Sequence, residues 1–371
     1  MNNIDRIKTI IDRREQRLVN FGQGEGYIPI ICMYQNAKQK LLCLGLDLDQ
    51  KKMLENQLMI IEDLIETSED YLPFLCPWYG CGLYAEMYGC KTDYFSDKEP
   101  WTHPVVKTAA EADKLEPPDI GKSPMAKKVL TMIDYFLDKT HGKIPIALTD
   151  TQAPLDTAML VWEQSDFFLA FYEAKDVLNR LLKEITQMIV AFSKKQISLI
   201  GKENTCCPGM HMLSQKGGTV LDVADDILAL ISTDNAQEYD KPFIENIAEA
   251  MGGIAVHSCG KIDQHFEFLA QYAGLKQLNC KINPSEPNSP EILRDCFKNT
   301  NIVIHLILDM GFEQNWSKYG ANSYLEYITD YVLPRLHHND LKYAISFQAF
   351  DKTEAQQMTM KIREKIKRLQ F

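Results

Sequence analysis

The chain is short of positive charge. Its 371 residues carry 40 lysines and arginines against 51 aspartates and glutamates, a formal net charge of −11. A broad basic face for nucleic acid is not expected on that balance. The one basic stretch, residues 361–368, has the spacing of a solvated terminal helix. No run of about 18 apolar residues could span a bilayer. The first residues, through Lys8, lack the apolar segment of a secretory signal. The protein is therefore expected to be soluble and cytoplasmic, with no membrane partner. Ten cysteines in a chain this long do not make a small secreted disulfide framework. They are expected to be reduced, with Cys32, Cys43 and Cys296 as small apolar fillers. There is no internal repeat and no low-complexity segment.

What is present is ordinary globular composition, 45% hydrophobic and 25% charged. Strand-like and helix-like pieces alternate, the pattern of parallel βα units. A charged amphipathic helix over residues 4–19 comes first. Strand candidates follow at 27–34, 71–76, 143–148, 197–201, 253–256, 275–280, 301–308 and 343–347. Residues from about 90 to 125 are polar and broken by proline, an irregular excursion from the core. Residues 205–226 read as one long loop, of a length that is usually functional. Eight strands with helical links predict an α/β fold, a (β/α)8 TIM barrel. It has an N-terminal helical extension and long strand-end loops, and forms a single domain over 1–371. Chemistry in such barrels sits at the C-terminal ends of the strands. On this assignment that face carries Tyr34, Asp150, Gln152, Glu203, His257, Cys259, Cys280, Asp309 and Gln348.

The chemically richest stretch is 254–260. The apolar Ile254, Ala255 and Val256 run into His257, Ser258 and Cys259, closed by Gly260. Strand side chains alternate, so His257 and Cys259 share one side. An imidazole and a thiol at one strand end are half of a zinc site. The plainer reading is a core cysteine beside a satisfied histidine. Cys280 tips the next strand, and a His-Cys-Cys set would leave a fourth position open for catalysis. Zinc there would hold a substrate thiol as its nucleophilic thiolate. Three other groups have two readings each. Cys206, Cys207 and His211 are a weaker metal candidate, since vicinal cysteines rarely share an ion. Asp222, Asp225 and Asp226 form a carboxylate cluster or cap the next helix. Glu86 contacts the site or faces solvent.

Longer motifs surround this stretch. They are residues 85–91 with Glu99, Pro100 and Trp101, then 152–156, 166–173, and 224–226 followed by Ile231 and Ser232. Residues 252–260 are the most specific. On these the chain resembles the uroporphyrinogen decarboxylase superfamily over most of its length. The resemblance implies a (β/α)8 barrel and one of two chemistries. Some members decarboxylate uroporphyrinogen. Others are zinc methyltransferases that move methyl groups between corrinoid proteins and a thiol, and cobalamin-independent methionine synthases look similar at the zinc site. The decarboxylases grip substrate carboxylates with an N-terminal arginine motif. Here the first strand ends in Met33, Tyr34, Gln35 and Asn36, with no arginine. Eight substrate carboxylates would then lack partners.

The methyltransferase branch carries His-x-Cys and a cysteine on the last strand. This chain keeps His257 and Cys259 but has Ser346, Phe347 and Gln348 where that last cysteine is expected. Cys280 stands where the methionine synthases place a glutamate ligand. The resulting expectation is a zinc-dependent methyltransferase-like enzyme. Its metal ligands are His257, Cys259 and Cys280, its catalytic residues Asp150, Glu203 and Tyr79. Tyr34, Glu86, Gln152, Asn279 and Gln348 bind substrate, which is a small thiol or methylated molecule. Zinc is the cofactor, with a corrinoid presented by a partner protein. Two rivals remain: a metal-free decarboxylase-type lyase using Asp150, Glu203 or Tyr79, and a non-catalytic barrel that binds a corrinoid or tetrapyrrole.

Overall fold

The computed structural model describes residues 3–22, 27–34, 45–209, 212–282, 284–285, 288–308 and 316–370. His211, Asp309 and Cys43 lie outside the described residues. The strands are β1 (Ile30–Tyr34), β2 (Lys91–Asp93), β3 (Trp101–His103), β4 (Ile146–Ala147), β5 (Thr205–Cys207), β6 (Gln215–Lys216), β7 (Leu221–Ala224), β8 (Ile254–Ser258), β9 (Leu275–Lys281), β10 (Val303–Leu308) and β11 (Tyr343–Ala349).

Six of them form one parallel sheet in the order β1-β11-β10-β9-β8-β7. Such strands are covered on both faces and read as near-continuous apolar runs. The expected strand residues Ile254, Val256, Leu278, Ile304 and Ile345 are all fully buried. The protein is thus α/β with a parallel sheet.

Beyond β7 the pairing continues by single bridges. Gln152, past the end of β4, bridges Ala224 in parallel, and Ile146 bridges Leu75. The segment at 71–76, expected as a strand, makes only that one bridge. At its last residue a side chain takes over from the backbone. Gln57, buried on the helix Gln50–Thr67, accepts from Cys76 N–H at 2.9 Å and donates to Cys76 C=O at 2.6 Å. Between this segment and β1 the connection is also made by side chains. Asp70 accepts from Ile30 N–H at 2.8 Å, and Ser68 Oγ from Cys32 N–H at 3.3 Å.

The first helix, Asn3–Gly22, buries Ile7, Ile11 and Leu18. Its buried Arg14 donates to the carbonyls of Tyr71 at 2.7 Å and Ile65 at 2.8 Å. Among the described residues no helix is long and apolar enough to cross a membrane.

One expected strand is a helix. Residues 197–200 close the 26-residue helix Lys175–Ile200. Its buried stripe of Leu181, Ile185, Ile189 and Phe192 continues through Gln196, Ile197 and Ile200. A short apolar run cannot distinguish strand from buried helix. The missing parallel strand is β7, inside the stretch expected to be loop. The same stretch holds β5, parallel to β4, and β6, antiparallel to β5.

Candidate metal centre

β8 carries His257 to the C-terminal end of the sheet, and Cys259 follows on the same side. The next residue must be small. A Cβ on Gly260 would lie 2.3 Å from Ala229 Cβ, so only glycine lets this turn close against the 3-10 turn Asp226–Ala229. That closure sets Asp226 beside Cys259: its Oδ1 accepts from Cys259 N–H at 2.5 Å. One ligand atom each of Asp226, His257 and Cys259 then lies within 4.8 Å of the others. His257 is buried, Asp226 half-buried and Cys259 exposed, so the cluster opens to solvent on its sulfur side.

The imidazole is oriented by a chain of hydrogen bonds. Asn279 Nδ2 donates to the carbonyl of His305 at 2.9 Å, which turns the amide oxygen toward His257. His257 Nδ1 donates to that oxygen in a short bond. The proton is therefore on Nδ1, and Nε2 presents its lone pair, 3.0 Å from Cys259 Sγ. A side-chain oxygen on the remote nitrogen of a histidine is the usual support of a metal-binding ring. Nitrogen, thiolate and carboxylate donors together suit zinc or a similar borderline cation.

Beneath the cluster the carboxyls of Asp225 and Asp156 are buried. Asp225 N–H donates to the His257 carbonyl at 2.7 Å, and Asp156 accepts from Ile227 N–H at 3.2 Å. Burial, followed by the charges of neighbouring aspartates, holds both well above the usual carboxylate range. Neither Asp225 nor Asp226 caps the following helix. Ser232 does that, accepting from Asn235 N–H at 3.2 Å.

The other expected site residues divide. Cys280 is not part of the cluster. It pairs with Ser258 in the sheet, while Asn279 pairs with His257, so alternation turns Cys280 to the opposite face. There it is fully buried, and burial pushes its thiol up. Glu203 is at the wrong end. It precedes β5 and is exposed, because the strand it was thought to tip is the end of a helix. Tyr79 is buried with Lys128 Nζ 5.4 Å from its ring centre, and its carbonyl accepts from Tyr94 OH at 3.3 Å. Glu86 is half-buried and accepts from the same Tyr94 hydroxyl at 2.7 Å.

Asp150 and Gln152 follow β4, buried and bonded to each other at 3.0 Å. The bridge from Gln152 to Ala224 sets them two residues from Asp226. Tyr34 ends β1, and Gln348, near the end of β11, donates its N–H to Tyr324 OH at 3.3 Å. Ser346, in the stretch where a last cysteine was expected, shares a hydrogen bond of 2.7 Å with buried His305. Sequence reading missed Asp226 as a candidate metal donor. The signal for Asp226 was its place just past the strand-like stretch 220–224, in which Val220, Leu221, Val223 and Ala224 are apolar.

Comparison with known proteins bears on this site. Residues 78–201 match the family profile described as Uroporphyrinogen decarboxylase (URO-D). Over that third of its length the chain is similar to this family. The matched residues include Tyr79, Cys81, Asp150 and Gln152 and end before Asp226, His257 and Cys259. Among solved structures, a methyltransferase from Methanosarcina mazei is similar, with a TM-score of 0.66 and 15% identity over 95% of this chain and 98% of that one. At that identity the likeness is one of fold. A GH18 chitinase from Pseudoalteromonas aurantia aligns with a TM-score of 0.32 and 11% identity, over 78% of this chain and 98% of that one. No curated protein matches the chain.

Proposed function

We propose that the protein is a zinc-dependent methyltransferase-like enzyme that moves a methyl group between a corrinoid protein and a thiol. The observation that carries this reading is the meeting of Asp226, His257 and Cys259, with Asn279 holding the ring so that His257 Nε2 faces Cys259 Sγ. His257, Cys259 and Asp226 would hold the metal, and Asp226 replaces Cys280 in the expected set. Zinc held there would lower the pKa of an incoming thiol, so that it reacts as thiolate. One thiolate and one carboxylate leave the site near neutral, so a substrate thiolate can still approach. The exposed sulfur side gives it a path.

The same proposal includes the fold. The six-strand sheet, the bridges at Gln152 and Leu75, and the Ser68 and Asp70 contacts to β1 follow the order of an eight-stranded (β/α)8 barrel. Asp226, His257, Cys259, Asp150 and Gln152 then share its C-terminal face, where such barrels carry their chemistry. A likeness in fold to a methyltransferase agrees with this.

Porphyrinogen decarboxylation fits less well. Asp150 and Asp226 at this end would repel a substrate bearing many carboxylates. The activity test uses methylcobalamin as methyl donor and a small thiol, followed by the corrinoid absorbance. Zinc-dependent loss of the methyl–cobalt band, absent in His257→Ala, is expected. No turnover across a panel of alkane thiols would overturn the reaction assigned here.

A further inference from the structure

The end of the sheet away from the metal cluster holds a cavity. Its volume is about 690 Å³, within the range of small-molecule sites. It lies where three strands begin. Ile28 leads into β1, Asn301 into β10 and Lys342 into β11, and all three residues line it. The strands are parallel, so this end is opposite the one to which β8 carries His257.

The lining is basic in a chain of net charge −11. Among the described residues that line it, Lys298 and Lys342 are cations and Asp340 is the one carboxylate. Lys342 Nζ donates to the neutral Asn301 Oδ1 at 3.2 Å, so its charge is not spent on an acid there. Lys298 Nζ donates to Asp295 at 3.2 Å, but Arg294 holds both oxygens of that carboxylate at 3.0 Å. One carboxylate thus serves two cations. Asp340 is exposed, with its carboxylate 3.6 Å from His338 Nδ1. An ammonium is a point charge with three donors, which suits a phosphate.

The lining also brings aromatic rings. Phe21 and Tyr343 are buried and Tyr27 is half-buried. His337 Nδ1 shares a 2.9 Å hydrogen bond with Tyr343 OH, and its Nε2 is buried with no hydrogen-bond partner. A flat ring with polar edges packs against aromatic side chains and offers such a nitrogen a partner.

We propose that this cavity binds a phosphate carried on a flat ring system, a molecule of nucleotide size. Lys298 and Lys342 meet the phosphate, and Phe21, Tyr27 and Tyr343 pack against the ring. The site is separate from the metal cluster and does not rest on the metal reading.

Isothermal titration of the full chain with AMP, inorganic phosphate and adenosine tests this. AMP is expected to bind, and more tightly than either fragment. Lys298→Gln and Lys342→Gln, with folding checked by their melting curves, should each weaken AMP about 10-fold. His257→Ala should leave AMP binding unchanged. No binding of AMP at about 10 mM would overturn the site. So would AMP binding that both lysine variants keep, or that His257→Ala alone loses. AMP binding no tighter than that of inorganic phosphate would overturn the ring-bearing class.

Discussion

Asn279 and His257 stand side by side on β9 and β8, and the amide oxygen of one holds the ring proton of the other. Because Asn279 is anchored by the His305 carbonyl, it cannot present its nitrogen to the ring without losing a 2.9 Å bond. Replacing Asn279 with Leu should leave His257 free to place its proton on either nitrogen. Zinc affinity is expected to fall by about 10–100-fold. Competition with a metal-sensitive chelator measures this, and an unchanged affinity would count against the tautomer argument.

Val256 is fully buried one residue before His257, on the opposite side of β8. Val256→Asp should cost on the order of 4 kcal/mol, because a carboxylate would be buried there without a partner. A melting temperature equal to that of wild type would contradict the strand assignment.

Cys280 is a packing residue. Its sulfur is fully buried on the face away from His257. Cys280→Ala should lower stability by about 1 kcal/mol and leave metal content unchanged. Loss of metal in that variant would restore Cys280 to the ligand set.

Buried Asp240 is raised to about 6 by burial, although the hydrogen bond from Tyr272 OH at 2.6 Å opposes this. Its ordinary value is near 3.8. A carboxyl raised in the folded state binds its proton more tightly there than in the unfolded chain. Its contribution to stability is therefore present at low pH and is lost as pH rises from about 4 through 6. Asp240→Asn keeps an acceptor for Tyr272 and removes the titration. Stability measured by urea unfolding should change less with pH in the variant than in wild type across that window. Parallel curves would exclude Asp240 as the source.

The residues of the sheet were legible where both faces are covered. The stretches at 254–258, 275–281, 303–308 and 343–349 carry apolar residues on both faces, with polar ones such as His257, Asn279 and Gln348 toward their ends, and each is a strand. His257 and Cys259 followed from two-residue alternation alone. Failure began at residues 197–200, where four residues fit both periods and the helix won by continuing a stripe already begun at Leu181. That one error moved the fourth strand tip to Glu203 and hid Asp226. Cys280 failed for a different reason. Strand order was correct, but the register that pairs Asn279 with His257 is a backbone property no spacing in one strand reveals.

Metal analysis of the protein purified in zinc-containing buffer, beside Cys259→Ala, bears most directly on the metal centre. The account requires about one zinc per wild-type chain, the stoichiometry of a single three- or four-donor site. Cys259→Ala should lose that zinc while keeping its fold. Wild-type protein without metal, or a Cys259→Ala variant that holds as much, would contradict it.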